Sequence, residues 1–228
     1  MGIKENLAKI KEQIGNNNVK IIAVTKYAND QQIKEAYNLG IKDFGESYVQ
    51  NALEKISKEE NLQSLIQWHF IGRLQKNKIK YIIGKFNLIH SVDSIELAEI
   101  VNNLGNRKGV VQDILLQVNI SQEATKAGFN SDDLKSSFER LIQLPNIKIL
   151  GLTTIAPNTT DKGVLRSCFL KLSSLKEELN KNQMEKAKLK ELSMGMSNDY
   201  VTAIECGSTM IRIGRAIFME EQKIEYIK

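Results

Sequence analysis

The 228-residue chain carries two prolines and fourteen glycines. Breakers this sparse, with a hydrophobic fraction of 42%, argue against a disordered chain and allow a sizeable core. Cys168 and Cys206 are too few for a disulfide framework, and no Cys-x-x-Cys spacing suggests zinc. Free thiols in a reducing compartment follow. The two histidines, His69 and His90, fall on separate strand candidates with no metal-triad spacing. No apolar run is long enough to span a membrane. The stretch from Met1 to Asn6 opens a polar, amphipathic segment without the apolar core of a signal peptide, and it does not fit the myristoylation pattern. The net charge of +5 is spread among lysines mixed with Glu and Asp, so there is no concentrated basic stripe for nucleic acid. No linker, repeat or composition shift marks a second domain. One domain over residues 1–228 is expected, in the cytoplasm, without metal, membrane or nucleic-acid partners.

What is present is an alternation. Ile3, Leu7, Ile10 and Ile14 predict a helix over 3–15. Strand-like runs follow at 19–26, 42–45, 67–72, 87–91, 112–120, 147–154, 191–195 and 208–213. Helical patterns separate them at 31–39, 47–56, 75–83, 94–104, 131–144, 162–180 and 199–205. Eight strands alternating with helices predict an α/β protein, a single (β/α)8 TIM-type barrel with an extra N-terminal helix. A doubly wound open sheet is the alternative.

In such a barrel the carboxyl ends of the strands share one mouth, where chemistry is placed. Lys26 ends the first strand. Arg212-Ile213-Gly214 closes the eighth, its neighbour in a closed barrel. Phosphate sites in this fold use the loops after strands seven and eight, here Met194 to Asp199 and Gly214-Arg215. A helix starting near Ser197 would offer free N–H groups to a phosphate. Each element also has an ordinary reading. Lys26 can be a solvated lysine, Ser197 a helix cap, Gly214 a turn residue, Arg212 a structural ion-pair partner, and His69 and His90 satisfied core residues.

The ordered set of segments resembles a known family. Ala23-Val24-Thr25-Lys26, Phe44-Gly45-Glu46-Ser47-Tyr48-Val49-Gln50, Trp68 to Lys78, His90-Ser91-Val92-Asp93, Gln117-Val118-Asn119, Gly151 to Pro157, Leu192 to Asp199 and Gly207 to Phe218 resemble the YggS/PROSC-type pyridoxal phosphate homeostasis proteins. The resemblance implies a barrel like the N-terminal domain of alanine racemase. It implies pyridoxal 5′-phosphate (PLP) held as an aldimine on Lys26. Ser197, with backbone at Met196, Gly214 and Arg215, would hold the phosphate. Arg212 would face the pyridine nitrogen, and Ser47 would help line the ring. Two positions depart from the family: Ser47 stands where Asn is usual, and Thr153 where Met is common.

An arginine at the ring nitrogen disfavours its protonation and so weakens carbanion chemistry. Racemisation also needs a second base, which in alanine racemase-type enzymes comes from another domain. The resulting expectation is a non-catalytic PLP carrier, a monomer, with PLP-dependent apoenzymes as acceptors. The alternative is a racemase-like enzyme of low activity with Tyr48 or Tyr200 as base. A third reading, from fold analogy alone, is a Schiff-base aldolase acting on a phosphorylated sugar. Lys126 also matches a family lysine. It reads as a solvated loop residue, or as a second landing site for the aldehyde.

Overall fold

The computed structural model describes residues 2–58, 65–123, 125–181 and 188–219. Eight parallel strands close into a barrel in sequence order: β1 (Lys20–Val24), β2 (Asp43–Glu46), β3 (Gln67–Phe70), β4 (Leu88–Val92), β5 (Gln112–Gln117), β6 (Ile147–Thr153), β7 (Glu191–Ser193) and β8 (Met210–Ile213). Closure is made by β1 against β8, with Ile22 opposite Arg212 and Ala23 opposite Ile213. The (β/α)8 expectation is met.

The α-helices among the described residues are α1 (Ile3–Ile14), α2 (Asp30–Asn38), α3 (Val49–Lys58), α4 (Ile79–Ile82), α5 (Ile95–Lys108), α6 (Ser131–Ile142), α7 (Lys162–Asn180), α8 (Tyr200–Glu205) and α9 (Arg215–Phe218). None is long and apolar enough to cross a membrane. The four apolar residues that predict α1 are all buried. They cover the outside of the barrel, and the Asn6 amide donates to the carbonyl of Ile217 in α9.

Side chains alternate across each strand. Ala23, Phe44, Ile89, Ile114 and Ile211 join the large core between sheet and helices. Ile22, Leu88, Leu115 and Met210 form a separate small cluster, the filling of the barrel interior. Above it the interior becomes polar, with His69, His90, Ser193 and Arg212 all buried.

The strands expected over 67–72, 191–195 and 208–213 are shorter, at Gln67–Phe70, Glu191–Ser193 and Met210–Ile213, and three further elements differ. The first strand stops at Val24, and Thr25–Tyr27 form a 3-10 turn. Both the hydroxyl and the carbonyl of Thr25 are captured by side chains of the neighbouring unit. The fifth strand stops at Gln117: the Val118 N–H still reaches the Thr153 carbonyl of β6, but the Asn119 N–H turns to the Phe129 carbonyl and the Phe129 N–H to the Gln117 carbonyl. The helix expected over 75–83 is a 3-10 turn at Lys76–Lys78 followed by α4, and Gly84, at φ 76°, turns the chain towards β4.

Close strand contact makes one glycine indispensable. A Cβ on Gly151 would lie 1.9 Å from the carbonyl oxygen of Glu191 on β7. Backbone cannot yield as a side-chain tip does. Gly151→Ala is therefore expected to cost about 3 kcal/mol or more, a fall of about 6–12 °C in Tm for a chain of this size. A thermal melt within a degree of the parent would contradict this contact.

Candidate functional site

Lys26 lies in the 3-10 turn directly after β1 and is exposed. Its amine stands over the Tyr27 ring, 4.8 Å from the centroid. The turn is held from beneath. Glu46, at the end of β2, is fully buried. Its carboxylate accepts from Lys55 Nζ at 2.7 Å, from Thr25 Oγ1 at 3.1 Å and from the Ser47 N–H at 2.7 Å. Lys55 Nζ also donates to the Thr25 carbonyl at 2.6 Å. One carboxylate thus fixes both the residue before Lys26 and the loop carrying Ser47. Neither Glu46 nor Lys55 was assigned a role from sequence. The available signal was a glutamate on the outward side of a strand, pointing into apolar core, which needs a cation.

Arg212 rises from β8 and is 7% exposed. Its NH1 donates to Thr153 Oγ1 at 3.0 Å, to the Ser193 carbonyl at 2.7 Å and to Ser193 Oγ at 2.7 Å. NH2 donates to the Thr154 carbonyl at 2.9 Å. Burial pushes its pKa down to about 10, opposed by the charge of Asp199, so it stays cationic at neutral pH. A guanidinium has five donors. The four contacts engage NH1 and one hydrogen of NH2. Nε–H and the second NH2 hydrogen have no hydrogen-bond partner among the described residues, so they suit a ligand acceptor. Thr153, the departure from the family's Met, supplies one of the oxygens that hold this arginine. The ion-pair reading of Arg212 is not what is found, since all four acceptors are neutral oxygens.

Ser197 is not the cap of α8, whose N-cap is Asp199. Its hydroxyl instead accepts from the Ala216 N–H at 3.4 Å, in the first turn of α9. The loops after β7 and β8 therefore meet, as a phosphate site of this fold requires. Gly214 and Arg215 are half-buried there. The Met196 N–H is used otherwise: it donates to Asp199 Oδ1 at 2.5 Å, closing its own turn. Burial raises the Asp199 pKa, with the Met196 N–H and Arg212 opposing it. A Cβ on Gly214 would press on Val24, 3.2 Å from its Cβ and 3.3 Å from its carbonyl oxygen. Close approach to β1 thus explains this glycine without a ligand.

The opposite side of the mouth holds a pocket of about 230 Å³ lined by Ser91, Asp93, Asn119, Lys126 and Ile155, among others. The Ser91 hydroxyl is buried and has no partner among the described residues. Lys126 is not freely solvated. Its amine donates to Glu123 Oε1 at 2.6 Å and to the Ala156 carbonyl at 3.1 Å. Of the two tyrosines considered as bases, Tyr48 is exposed. Tyr200 is buried, its hydroxyl is bound to Gln13 of α1, and burial raises its pKa. Both facts count against Tyr200 as a base.

The residues at the mouth fit PLP in their chemistry. An exposed amine, a cation with spare donors and two apposed loops stand on the adjoining units β7, β8 and β1. Comparison with known proteins agrees. The family described as alanine racemase, N-terminal domain, matches residues 2–222. A pyridoxal phosphate homeostasis protein of Aquifex aeolicus is 40% identical over 231 residues, covering 97% of this chain and all of that protein. The structure of PipY from Synechococcus elongatus with PLP bound has a TM-score of 0.86 at 36% identity, covering 95% of this chain and 99% of that one. An alanine racemase of Clostridium difficile shares the fold, with a TM-score of 0.78 at 14% identity, covering 96% of this chain and 58% of that one.

Proposed function

The chain belongs to the family of pyridoxal phosphate homeostasis proteins, and from that premise we propose that it binds PLP reversibly through Lys26 and serves PLP homeostasis as a carrier. When bound, PLP supplies an aldehyde that condenses with amines, losing water, and an electron-withdrawing ring. Lys26 Nζ is the amine that takes the aldehyde. The Ser197 hydroxyl and the first turn of α9, with Gly214 and Arg215, receive the phosphate. Ser47, fixed by Glu46, lines the ring. The Met196 amide joins the phosphate set only if its turn opens from Asp199.

Arg212 is the observation that carries the non-catalytic reading. Its fixed positive charge at the ring nitrogen disfavours ring protonation and so weakens PLP as an electron sink, although arginine also serves as the ring-nitrogen partner in some catalysts. Its spare N–H groups satisfy the nitrogen lone pair and leave the ring unprotonated. In this reading residues 1–228 form a single PLP-binding domain, monomeric in the cytoplasm, that passes cofactor to PLP-dependent apoenzymes.

Two measurements on PLP-loaded protein test the proposal. Borohydride reduction followed by peptide mass analysis is expected to place one pyridoxyl group on the Lys26 peptide. Incubation with L-alanine in heavy water is expected to leave the α-proton in place. Label found on Lys126 and absent from Lys26 would overturn the site. Deuterium uptake that vanishes in Lys26→Ala would make the protein a racemase-like enzyme.

A further inference from the structure

A line of hydrogen bonds crosses the barrel interior beneath Arg212. Arg212 NH1 donates to Ser193 Oγ at 2.7 Å. Ser193 Oγ lies 3.0 Å from His90 Nδ1. His90 Nε2 lies 3.0 Å from His69 Nδ1. His69 Nε2 lies 2.9 Å from Asp43 Oδ1. The five residues come from five strands: β8, β7, β4, β3 and β2. Asp43 opens β2, so it stands at the amino end of the barrel, away from the mouth, 3.6 Å from Lys20 Nζ.

The direction of the line follows from which atoms carry hydrogens. A guanidinium only donates, so Ser193 Oγ accepts from Arg212, which leaves its own O–H available to His90 Nδ1. A neutral imidazole has one donor and one acceptor. The Asp43 carboxylate only accepts, so His69 gives it the Nε2–H; a neutral His69 then has a bare Nδ1 that takes the Nε2–H of a neutral His90, whose bare Nδ1 takes the Ser193 O–H. The reverse order would aim the bare Nε2 of His69 at the carboxylate. Burial above all, with the positive charges of Arg212 and Lys20 adding to it, holds His90 well below the usual imidazole range, in keeping with a neutral ring. The charged groups facing this line are Lys20 on β1, Asp43 on β2, Arg212 on β8 and Asp199 in the loop after β7.

We propose that Asp43, His69, His90 and Ser193 are positioning residues for Arg212, forming a one-way hydrogen-bonded line that carries the influence of a carboxylate at the foot of the barrel to the guanidinium at its mouth. Each donor in the line polarises the next. NH1 is thereby locked, and the orientation of the remaining N–H groups is set before any ligand arrives. The functional side of this inference rests on the PLP reading above. The hydrogen-bonded line itself does not.

The chain contains only two histidines, so nitrogen-15 labelling of histidine yields an NMR spectrum of these two rings alone. In cofactor-free protein at neutral pH, both rings are expected as neutral Nε2–H tautomers with bare Nδ1. A ring protonated at Nδ1 overturns the proposal, whether or not any variant folds. The second readout uses PLP-loaded protein and the isosteric Asp43→Asn. Removing an anion disfavours the protonated form that gives the long-wavelength band. The pH midpoint at which that band is lost is expected to fall by about one unit, a tenfold change in proton affinity. An unmoved midpoint overturns the coupling to Arg212. Correct tautomers in a parent protein that shows no visible band with PLP would instead sink the cofactor reading while the line stands.

Discussion

Lys26→Ala is expected to abolish the visible band that develops when the protein is mixed with PLP, at least tenfold at matched concentrations, leaving the spectrum of free cofactor. The amines near the mouth are unequal. Lys55 is locked between Glu46 and the Thr25 carbonyl. Lys126 is tied to Glu123 and the Ala156 carbonyl. Condensation needs an amine that can shed its proton and approach a carbonyl carbon, and either of these would first have to abandon charge-assisted hydrogen bonds. Among the described residues, Lys26 meets only the face of an exposed tyrosine. Because Lys26 is exposed, its truncation should alter stability by no more than about 0.5 kcal/mol. Absorbance spectra and a melt on the same samples therefore separate loss of the amine from loss of the fold. A full band in the variant would move the attachment to another lysine.

The largest stability effect is expected at Glu46. Glu46→Ala strands Lys55, whose side chain is 14% exposed, without its counter-ion. It also removes the acceptor for Thr25 Oγ1 and for the Ser47 N–H. Breaking one side of a buried pair costs about 3–5 kcal/mol, whereas replacing both members by apolar groups is often nearly neutral. Urea denaturation of Glu46→Ala, Lys55→Met and the Glu46→Leu/Lys55→Met double variant forms the test. The double variant should recover most of the loss in stability. It should still bind PLP more weakly, because the turn bearing Lys26 has lost its support. Single-variant losses below about 1 kcal/mol would mean that the pair is not a buried one.

The barrel was legible because its signals repeat. Eight apolar runs alternating with amphipathic stretches leave few topologies, and the order of strands follows from right-handed crossovers. Lys26 and Arg212 were legible as strand-end residues on neighbouring units. Ser197 was legible as a loop residue, but its partner was not. Its contact is Ala216, in a four-residue helix too short to show periodicity. The turn of Met196 onto Asp199 was hidden for a related reason, since loop geometry is set by local capping and not by pattern. Glu46 with Lys55 depends on how α3 packs back against β2, and His69 with His90 on a contact between successive units, neither of which a single strand reveals. For the histidines a hint existed. His69 lies opposite Leu88, and His90 is two residues further along that strand, on the same face.

The seam between β1 and β8 has a temporal consequence. A polypeptide emerging from the ribosome presents Lys26 well before Arg212 and α9, and the Asn6–Ile217 clasp spans 211 positions. Until the last strand docks, the early lysine has neither the guanidinium nor the loop after β8 beside it. A ligand bridging the two edges would act as a buckle, binding the finished ring and not its precursors and stabilising it by mass action. Uptake of the ligand would then mark completion of the barrel.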